Sequence, residues 1–542
     1  MLLTAAASTW ALHGRVVRLW WTNDDFYALH VLHGRSLAEA FLSPGVWRQS
    51  RMFTPLLMLS FDADLLAFGL RPEAFYAHQL VALAAAAAAL VAVLRLWLPW
   101  TLALLTSLLF LAGVPTIAWA QELLVRHYAE GLILAAFATR LFVLSLRRGR
   151  RALAWGSALL YFGAMLEKEI YVPLAVLLLL LPEGEPRVRL RRLLPHAAAL
   201  AAYLAGRYAV LGALGGGYGW TVEPGELPAL VAGLPAKVAR QFVGGHLAWD
   251  ALLLAALAVG IAAAMRDGGR RAASLLVAAL VLSVAPIAPV SKAFQPRYAA
   301  LAWLAVVVAF SFGCAGLLRA GGGSRARSVG VALAAAAGLA AAAVHVRAGE
   351  ASQASAGRMS AEGRFFLSMK DGDWLRRPAI PAAAMNELRW LKEDALGLPR
   401  GAGWFADDVY LCGHADRISR MYEYRDAQRT VVDATAVLPA QRSRYCASIR
   451  DAPLEAAFTY AGGNFSWELG PYGSGRYAIV YGDGIERFDV ARRDGYRHHA
   501  SVFTLRIRYE SPEGWRTFSP DIPLDFRASP RIRWERAARR AS

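Results

Sequence analysis

Eight stretches of this chain, near 74–94, 99–118, 128–146, 193–213, 247–265, 272–290, 298–318 and 328–346, are apolar over the roughly 20 residues a helix needs to cross about 30 Å of hydrocarbon. In lipid every backbone donor and acceptor has to be satisfied within the protein, so runs of this length leave few folds open besides a helical bundle. Two shorter runs, 152–166 and 170–182, flank Glu167-Lys168-Glu169. Together they predict about ten spans, or eleven with an incomplete first helix. Hydrophobic residues fill 56% of the 542 positions, which sets the chain apart from ordinary soluble domains.

A net charge of +18 would suit a nucleic-acid partner, but the placement of the arginines explains it differently. They gather in alternate loops: Arg147, Arg148, Arg150 and Arg151; Arg187, Arg189, Arg191 and Arg192; Arg266, Arg270 and Arg271; Arg319, Arg325 and Arg327. Basic loops stay on the cytoplasmic side, so the intervening loops at Gln121 to His127, Glu167 to Glu169, 214–246 and 289–297 are expected to face outward. An even number of spans then puts the segment before residue 74 and the tail after 346 outside as well. The apolar start, Met1 to Gly14, is too short for a full crossing and lacks the basic region of a signal peptide.

The tail has another texture, with dense charge, Gly and Pro turns, and alternation such as Phe465-Ser466-Trp467-Glu468-Leu469 and Tyr477-Ala478-Ile479-Val480-Tyr481. The expected organisation is a transmembrane domain over 1–346, a linker with a small α/β region over 347–454, and a β-sandwich-like domain over 455–542. Within the α/β region, Asn386 to Lys392 reads as a helix leading to a strand at Val409-Tyr410-Leu411. Of three cysteines, Cys314 lies in an apolar run, whereas Cys412 and Cys446 are both in the outer domain, where an oxidising compartment permits a disulfide.

The chemistry-bearing residues cluster at the outward ends. Asp24 and Asp25 lie in a segment expected to loop from the chain start to the helix at 74, and adjacent carboxylates beside a bilayer suit proton transfer, a cation or a sugar hydroxyl. One of them could instead cap a short helix, and His30 and His33 read as surface polarity. Glu167, Lys168 and Glu169 sit between runs too short to reach full hydrocarbon thickness, so they should be recessed and line a cavity. Arg297, placed by Pro296 at an outer helix start, can grip a phosphate through two parallel hydrogen bonds, with Arg126 and Lys292 adding charge. Carboxylates near a recessed Lys and an Arg suit sugar transfer from a polyprenyl phosphate, with a base on the acceptor and cations on the departing phosphate. No glycine-rich βα turn for a soluble nucleotide sugar is found.

With these residues in view, the chain resembles the GT-C class of integral-membrane glycosyltransferases, and within it bacterial relatives of the transmembrane, TPR-containing O-mannosyltransferases. The resemblance covers about residues 20–346 and rests on Asn23-Asp24-Asp25-Phe26-Tyr27, Arg51 to Leu56 followed by Phe75-Tyr76-Ala77-His78, Glu167-Lys168-Glu169, Tyr203 to Tyr208 with Arg207, and Pro296-Arg297-Tyr298. It implies an inverting transfer from a dolichyl or undecaprenyl phosphate sugar, with Asp24 as principal base and Asp25 its partner. It also implies Lys168 and Arg297 as phosphate contacts, with Glu167, Glu169, Arg126, His78 and Arg207 around the substrate. The tail carries no TPR repeats, so acceptor recognition does not carry over. The expected setting is a bacterial inner membrane with the C-terminal domain periplasmic, a lipid-linked sugar as donor, an acceptor of unspecified class and no nucleic acid. No cofactor is required, although a divalent cation, Mg or Mn, could sit weakly at Asp24 and Asp25. The competing expectation is a transporter or flippase of a lipid-linked sugar, whose ionisable residues should lie near the midplane. A surface-polysaccharide ligase would need a larger outer loop than 214–246.

Overall fold

A computed structural model describes residues 2–46, 52–212, 214, 227–288, 294–319, 324–461, 464–497 and 500–536. The protein is mostly helical with a β-rich C-terminal region. Its contacts separate two compact units, Met1–Leu19 with Val31–Ala356, and Trp20–His30 with Gly357–Ser542.

The helices in chain order are α1 (Leu2–His13), α2 (Asp24–Leu32), α3 (Leu37–Leu42), α4 (Pro55–Phe68), α5 (Pro72–Leu94), α6 (Trp100–Leu111) and α7 (Val114–Gln121). They continue with α8 (Arg126–Arg147), α9 (Arg151–Glu167), α10 (Leu174–Leu180), α11 (Pro186–Leu211), α12 (Leu227–Arg240), α13 (Leu247–Val284), α14 (Ala300–Arg319) and α15 (Ser324–Ser368). Among the described residues five helical segments are long and apolar enough to cross a membrane, Pro72–Leu94, Leu123–Arg147, Leu247–Ala288, Pro296–Arg319 and Arg325–Ser368. The pair α6 and α7, bent by 66°, would make a sixth.

Polar side chains that cannot bond water between apolar helices bond neighbouring backbone instead, and these bonds fix how the helices run. Ser107 donates to the Ala87 carbonyl at 2.9 Å, Ser157 to Ala138 at 2.7 Å, and Trp303 Nε1 to Leu109 at 3.0 Å. On Gly313 of α14 a Cβ would lie 1.8 Å from the Gly260 carbonyl of α13, so only glycine permits that approach. The unit has two chemically different poles. At one, Arg147 pairs with Glu183 at 2.6 Å, Trp97 Nε1 donates to Glu183 at 2.7 Å, and Arg192 donates to the Gly149 carbonyl at 2.5 Å. Two of the predicted arginine-rich loops therefore meet there. The other pole gathers 119–130, 164–171, 203–214 and 295–298 through bonds described below.

Several expectations change. The segment before residue 74 is largely helical: α4 forms over Pro55–Phe68 with proline at its first turn, where its missing N–H costs nothing, although Asp62 and Asp64 interrupt its apolar pattern. The run at 99–118 is broken at Gly113, between α6 and α7. The runs at 247–265 and 272–290 form one element interrupted at Gly269, whose φ of 58° and ψ of −148° suit glycine alone. The apolar run at 328–346 continues as helix to Ser368, so the sequence boundary after 346 falls inside α15 and the units part after Ala356.

In the second unit, β1 (Asp373–Arg376), β2 (Gly403–Phe405), β3 (Arg420–Arg425) and β4 (Thr430–Asp433) form a sheet of order β2-β1-β3-β4, its first three strands parallel. Helices α16 (Ala382–Trp390), α17 (Tyr410–His414) and α18 (Leu438–Ala447) connect or follow them. The strand expected at 409–411 is corrected to the helical turn α17, and the strand is Gly403–Phe405. Cys412 and Cys446 are joined as a disulfide, Cα atoms 5.8 Å apart. Beyond Leu454 two antiparallel sheets, β13-β5-β6-β9 and β11-β10-β7-β8 with β12 on β10, enclose a core that includes Phe458, Phe465, Leu469, Ile479, Leu505 and Ile507. Alternation along each strand sends these residues inward.

Candidate functional site

In the second unit Asp24 opens α2 with its side chain exposed, while Asp25 is buried. The Asp25 carboxylate accepts the Thr22 backbone N–H at 2.9 Å and the Thr22 hydroxyl at 3.3 Å. Asn23 between them adopts φ 42°, the left-handed region that asparagine tolerates better than most residues. One carboxylate of the pair is thus committed to closing the helix start, and the other faces solvent. Nearby, Tyr27 is shifted upward from its ordinary value by burial and then by the Glu387 charge. His30 bonds Glu387 and stacks on Trp390 with ring centroids 4.2 Å apart.

The remaining candidates lie in the first unit. At the end of α9 the backbone leaves the helix: Lys168 is extended, with φ −159° and ψ 138°, and a 3₁₀ turn at Glu169–Tyr171 follows. Pro173, which cannot continue the preceding hydrogen-bond ladder, begins α10. The break keeps Glu167, Lys168 and the Arg207 side chain buried. Lys168 Nζ lies 3.5 Å from Glu169 Oε1 and 3.4 Å from the Met52 sulfur. Arg207, from α11, lies 3.8 Å from Glu169 Oε2, donates to the Tyr203 hydroxyl at 3.0 Å and to the Leu214 carbonyl at 3.0 Å. Two cations therefore share one carboxylate, leaving an excess positive charge in a largely apolar bundle.

Arg126 is placed differently. Its guanidinium, wholly buried, donates to Asp64 at 2.5 Å, the Phe75 carbonyl at 3.1 Å, Gln79 at 3.3 Å and Ser60 at 3.3 Å. With its donors taken, it anchors the packing of α4 and α5 on α8. His78 Nδ1 lies 2.8 and 3.0 Å from the two Asp64 oxygens, and its Nε2 lies 3.5 Å from Glu130 Oε1. Glu130 accepts the Ser60 hydroxyl at 2.8 Å, and Glu167 lies within electrostatic reach of both Glu130 and Arg126. Arg297 pairs with Glu122, and its guanidinium lies 5.3 Å from the Tyr298 ring centre. Trp119 Nε1 donates to the Arg297 carbonyl at 3.1 Å. His127 lies within electrostatic reach of Lys168 and of Arg297, linking the two halves of this pole.

The predicted residues thus fall into three groups: Lys168, Glu169 and Arg207; His78, Arg126 and Glu167; and Arg297 with Glu122. Lys292, Arg51 and the loop Gly215 to Trp220 lie outside the described residues. Among the described residues no set of three or more His, Cys, Asp or Glu side chains is arranged to hold a metal ion. Sequence reasoning overlooked Asp64, Glu130, Glu122 and Tyr203. A signal existed for Glu130, a lone acid within the apolar run 128–146, and for Asp64, an acid inside an apolar helix. No protein-family model matches the chain, and no curated protein matches it significantly in sequence.

Proposed function

We propose that the chain is a membrane-embedded GT-C-type glycosyltransferase that moves a sugar from a polyprenyl phosphate to an acceptor on the periplasmic side of a bacterial inner membrane. The observation that carries this reading is the buried charge excess at the α9 to α10 break, where Lys168 and Arg207 share Glu169. A glycosyl phosphodiester carries one negative charge, which that excess matches, and the departing phosphate monoester gains more. Buried ionisable groups among apolar helices normally mark a substrate path rather than a stabilising device.

In this reading Lys168 and Arg207 hold the donor phosphate. Arg297 contributes less, because Glu122 already takes its charge. Asp24, the exposed member of its pair, accepts the proton of the attacking hydroxyl, and Asp25 sets the start of α2. A divalent cation remains a proposal only at Asp24, since the Asp25 carboxylate is occupied by Thr22.

The two roles are tested separately. Asp24→Asn should cut sugar transfer by about 10²- to 10⁴-fold, the range for a lost general base, while donor binding stays unchanged. Lys168→Met should weaken binding of a short-chain polyprenyl phosphate by about 10- to 100-fold, as for loss of one charge-assisted contact. Full turnover in the first variant, or unaltered binding in the second, would remove the corresponding assignment. The bend at Gly113 favours a second reading, a flippase of a lipid-linked sugar, because discontinuous helices recur at transporter binding sites. Reconstituted vesicles separate the two: a transferase converts donor and acceptor into product, whereas a flippase moves intact donor across the bilayer.

A further inference from the structure

The geometry points to a proton-binding site at Glu130 and Glu167, filled from water through His78, separate from the cations assigned to the donor phosphate. The cluster holds three carboxylates, Asp64, Glu130 and Glu167, against one guanidinium, Arg126, in a buried part of the helical unit. Even a charged His78 leaves one carboxylate without a counter-charge. Lys168 is turned to Glu169 and Met52, and the Tyr171 hydroxyl is engaged as a donor to the Tyr128 carbonyl at 2.5 Å. An isolated buried carboxylate costs several kcal/mol or more, so a positive charge has to accompany it.

Geometry selects where that charge sits. Asp64 is neutralised by Arg126 at 2.5 Å. Glu167 is 5% exposed, and its Oε2 atom has no hydrogen-bond partner; the buried Glu130 Oε2 has none either. Two neighbouring carboxyls with an open oxygen each are satisfied by one shared proton, because a protonated carboxyl becomes a donor to its neighbour. His78 supplies the entry. Its Nδ1 lies against both oxygens of an ionised acid and so carries hydrogen, although Arg126 Nη1 is also 3.1 Å away. That leaves the Nε2 lone pair facing Glu130 Oε1 at 3.5 Å, on a side chain that is 36% exposed. A proton taken from water at Nε2 gives imidazolium. Its transfer to Glu130, after a small side-chain shift, restores neutral His78 and leaves a carboxylic acid beside Glu167.

Infrared spectroscopy of the full chain in lipid nanodiscs tests this directly, because a protonated carboxyl has its own carbonyl band. The expected result is one such band across about pH 5 to pH 8, shifted by deuterium oxide and lost or displaced in Glu167→Gln and in Glu130→Gln. His78→Ala should keep the band but slow its deuterium exchange by about a hundredfold or more. Absence of the band in the unaltered protein, or a band indifferent to both glutamine variants, would overturn the site. Exchange as fast in His78→Ala as in the parent would overturn the entry route. Should Glu167→Gln fail to fold, the parent spectrum and Glu130→Gln decide.

Discussion

Two buried charge networks, one in each unit, invite comparison. In the second unit Asp407 is fully buried, yet its oxygens accept Arg508 at 2.6 Å, the Tyr445 hydroxyl at 2.5 Å and the Val409 N–H at 3.0 Å, with Arg487 at 3.6 Å. The adjacent Asp408 receives Arg376 through two bonds of 2.8 and 2.7 Å and Arg377 at 2.5 Å. Around Lys168 the contacts are fewer and longer, 3.4 to 3.8 Å, and the cations outnumber the acids. The first network is complete and ties the parallel sheet to β10 of the sandwich. The second is incomplete, as a binding site without its ligand has to be. A buried polar network that satisfies every member rigidifies a fold, whereas one with surplus charge is costly unless something else occupies it.

The comparison is broken most severely at Asp407. Asp407→Ala should destabilise the second unit by about 3–5 kcal/mol, because Arg508 is left buried without its partner. Chemical unfolding of the full chain, followed by the tryptophans of this unit, checks it; a loss below about 1 kcal/mol would mean that the network is not the joint it resembles. Replacing Cys412 and Cys446 together by serine should cost about 3–4 kcal/mol on chain-entropy grounds for a separation of 34 residues, read in the same unfolding experiment. The bridge joins α17 to α18, which carries Tyr445, so this variant weakens the complete network from a second direction.

Acid provides a milder test. Burial alone would raise the Asp407 carboxyl, but Arg508, the Tyr445 hydroxyl, the Val409 N–H and Arg487 outweigh it and hold the group below the usual carboxylate value. A depressed carboxyl contributes stability that is present above its unfolded value, so the second unit should hold through neutral pH. It should lose stability as the pH falls through and below the ordinary carboxylate range. Circular dichroism melts against pH would show this, and a flat profile down to about pH 2 would contradict it. The smallest effect is expected at Lys168. Lys168→Met, whatever it does to donor binding, should change folding stability by less than about 1 kcal/mol, since Arg207 still neutralises Glu169. A large loss there would place Lys168 with Asp407 among the residues that hold the fold.

Much of the helical unit was readable from composition along the chain. Apolar length marked the helices at Pro72–Leu94 and Pro296–Arg319, and the alternation of arginine clusters anticipated the pole where Arg147 and Arg192 meet Glu183 and Gly149. The β-rich end was equally legible, because period-two alternation at Phe465 to Leu469 and Tyr477 to Tyr481 survives in β6 (Asn464–Gly470) and β7 (Arg476–Tyr481). Helix α4 was hidden by Asp62 and Asp64, whose charges mask an apolar face in any pattern reading. The short apolar run at Val409 to Leu411 suits strand or helix equally, and three residues are too few for periodicity to decide. Arg126 reads as a surface cation in the sequence and proves to be wholly buried, since nothing local announces Asp64, sixty-two residues earlier, as its partner.

The order of residues alone determined which segments are apolar enough for lipid, where the basic loops fall and that the chain ends in a strand-rich region. Those properties follow from local length, period and charge. Only the tertiary structure decided which charges are matched. That Asp25 is committed while Asp24 is exposed, that Arg126 is saturated while Lys168 is not, and that Glu130 and Glu167 keep open oxygens all depend on partners distant in sequence. The energy of a buried charge is set by the few groups within about 4 Å of it, which a linear pattern does not specify.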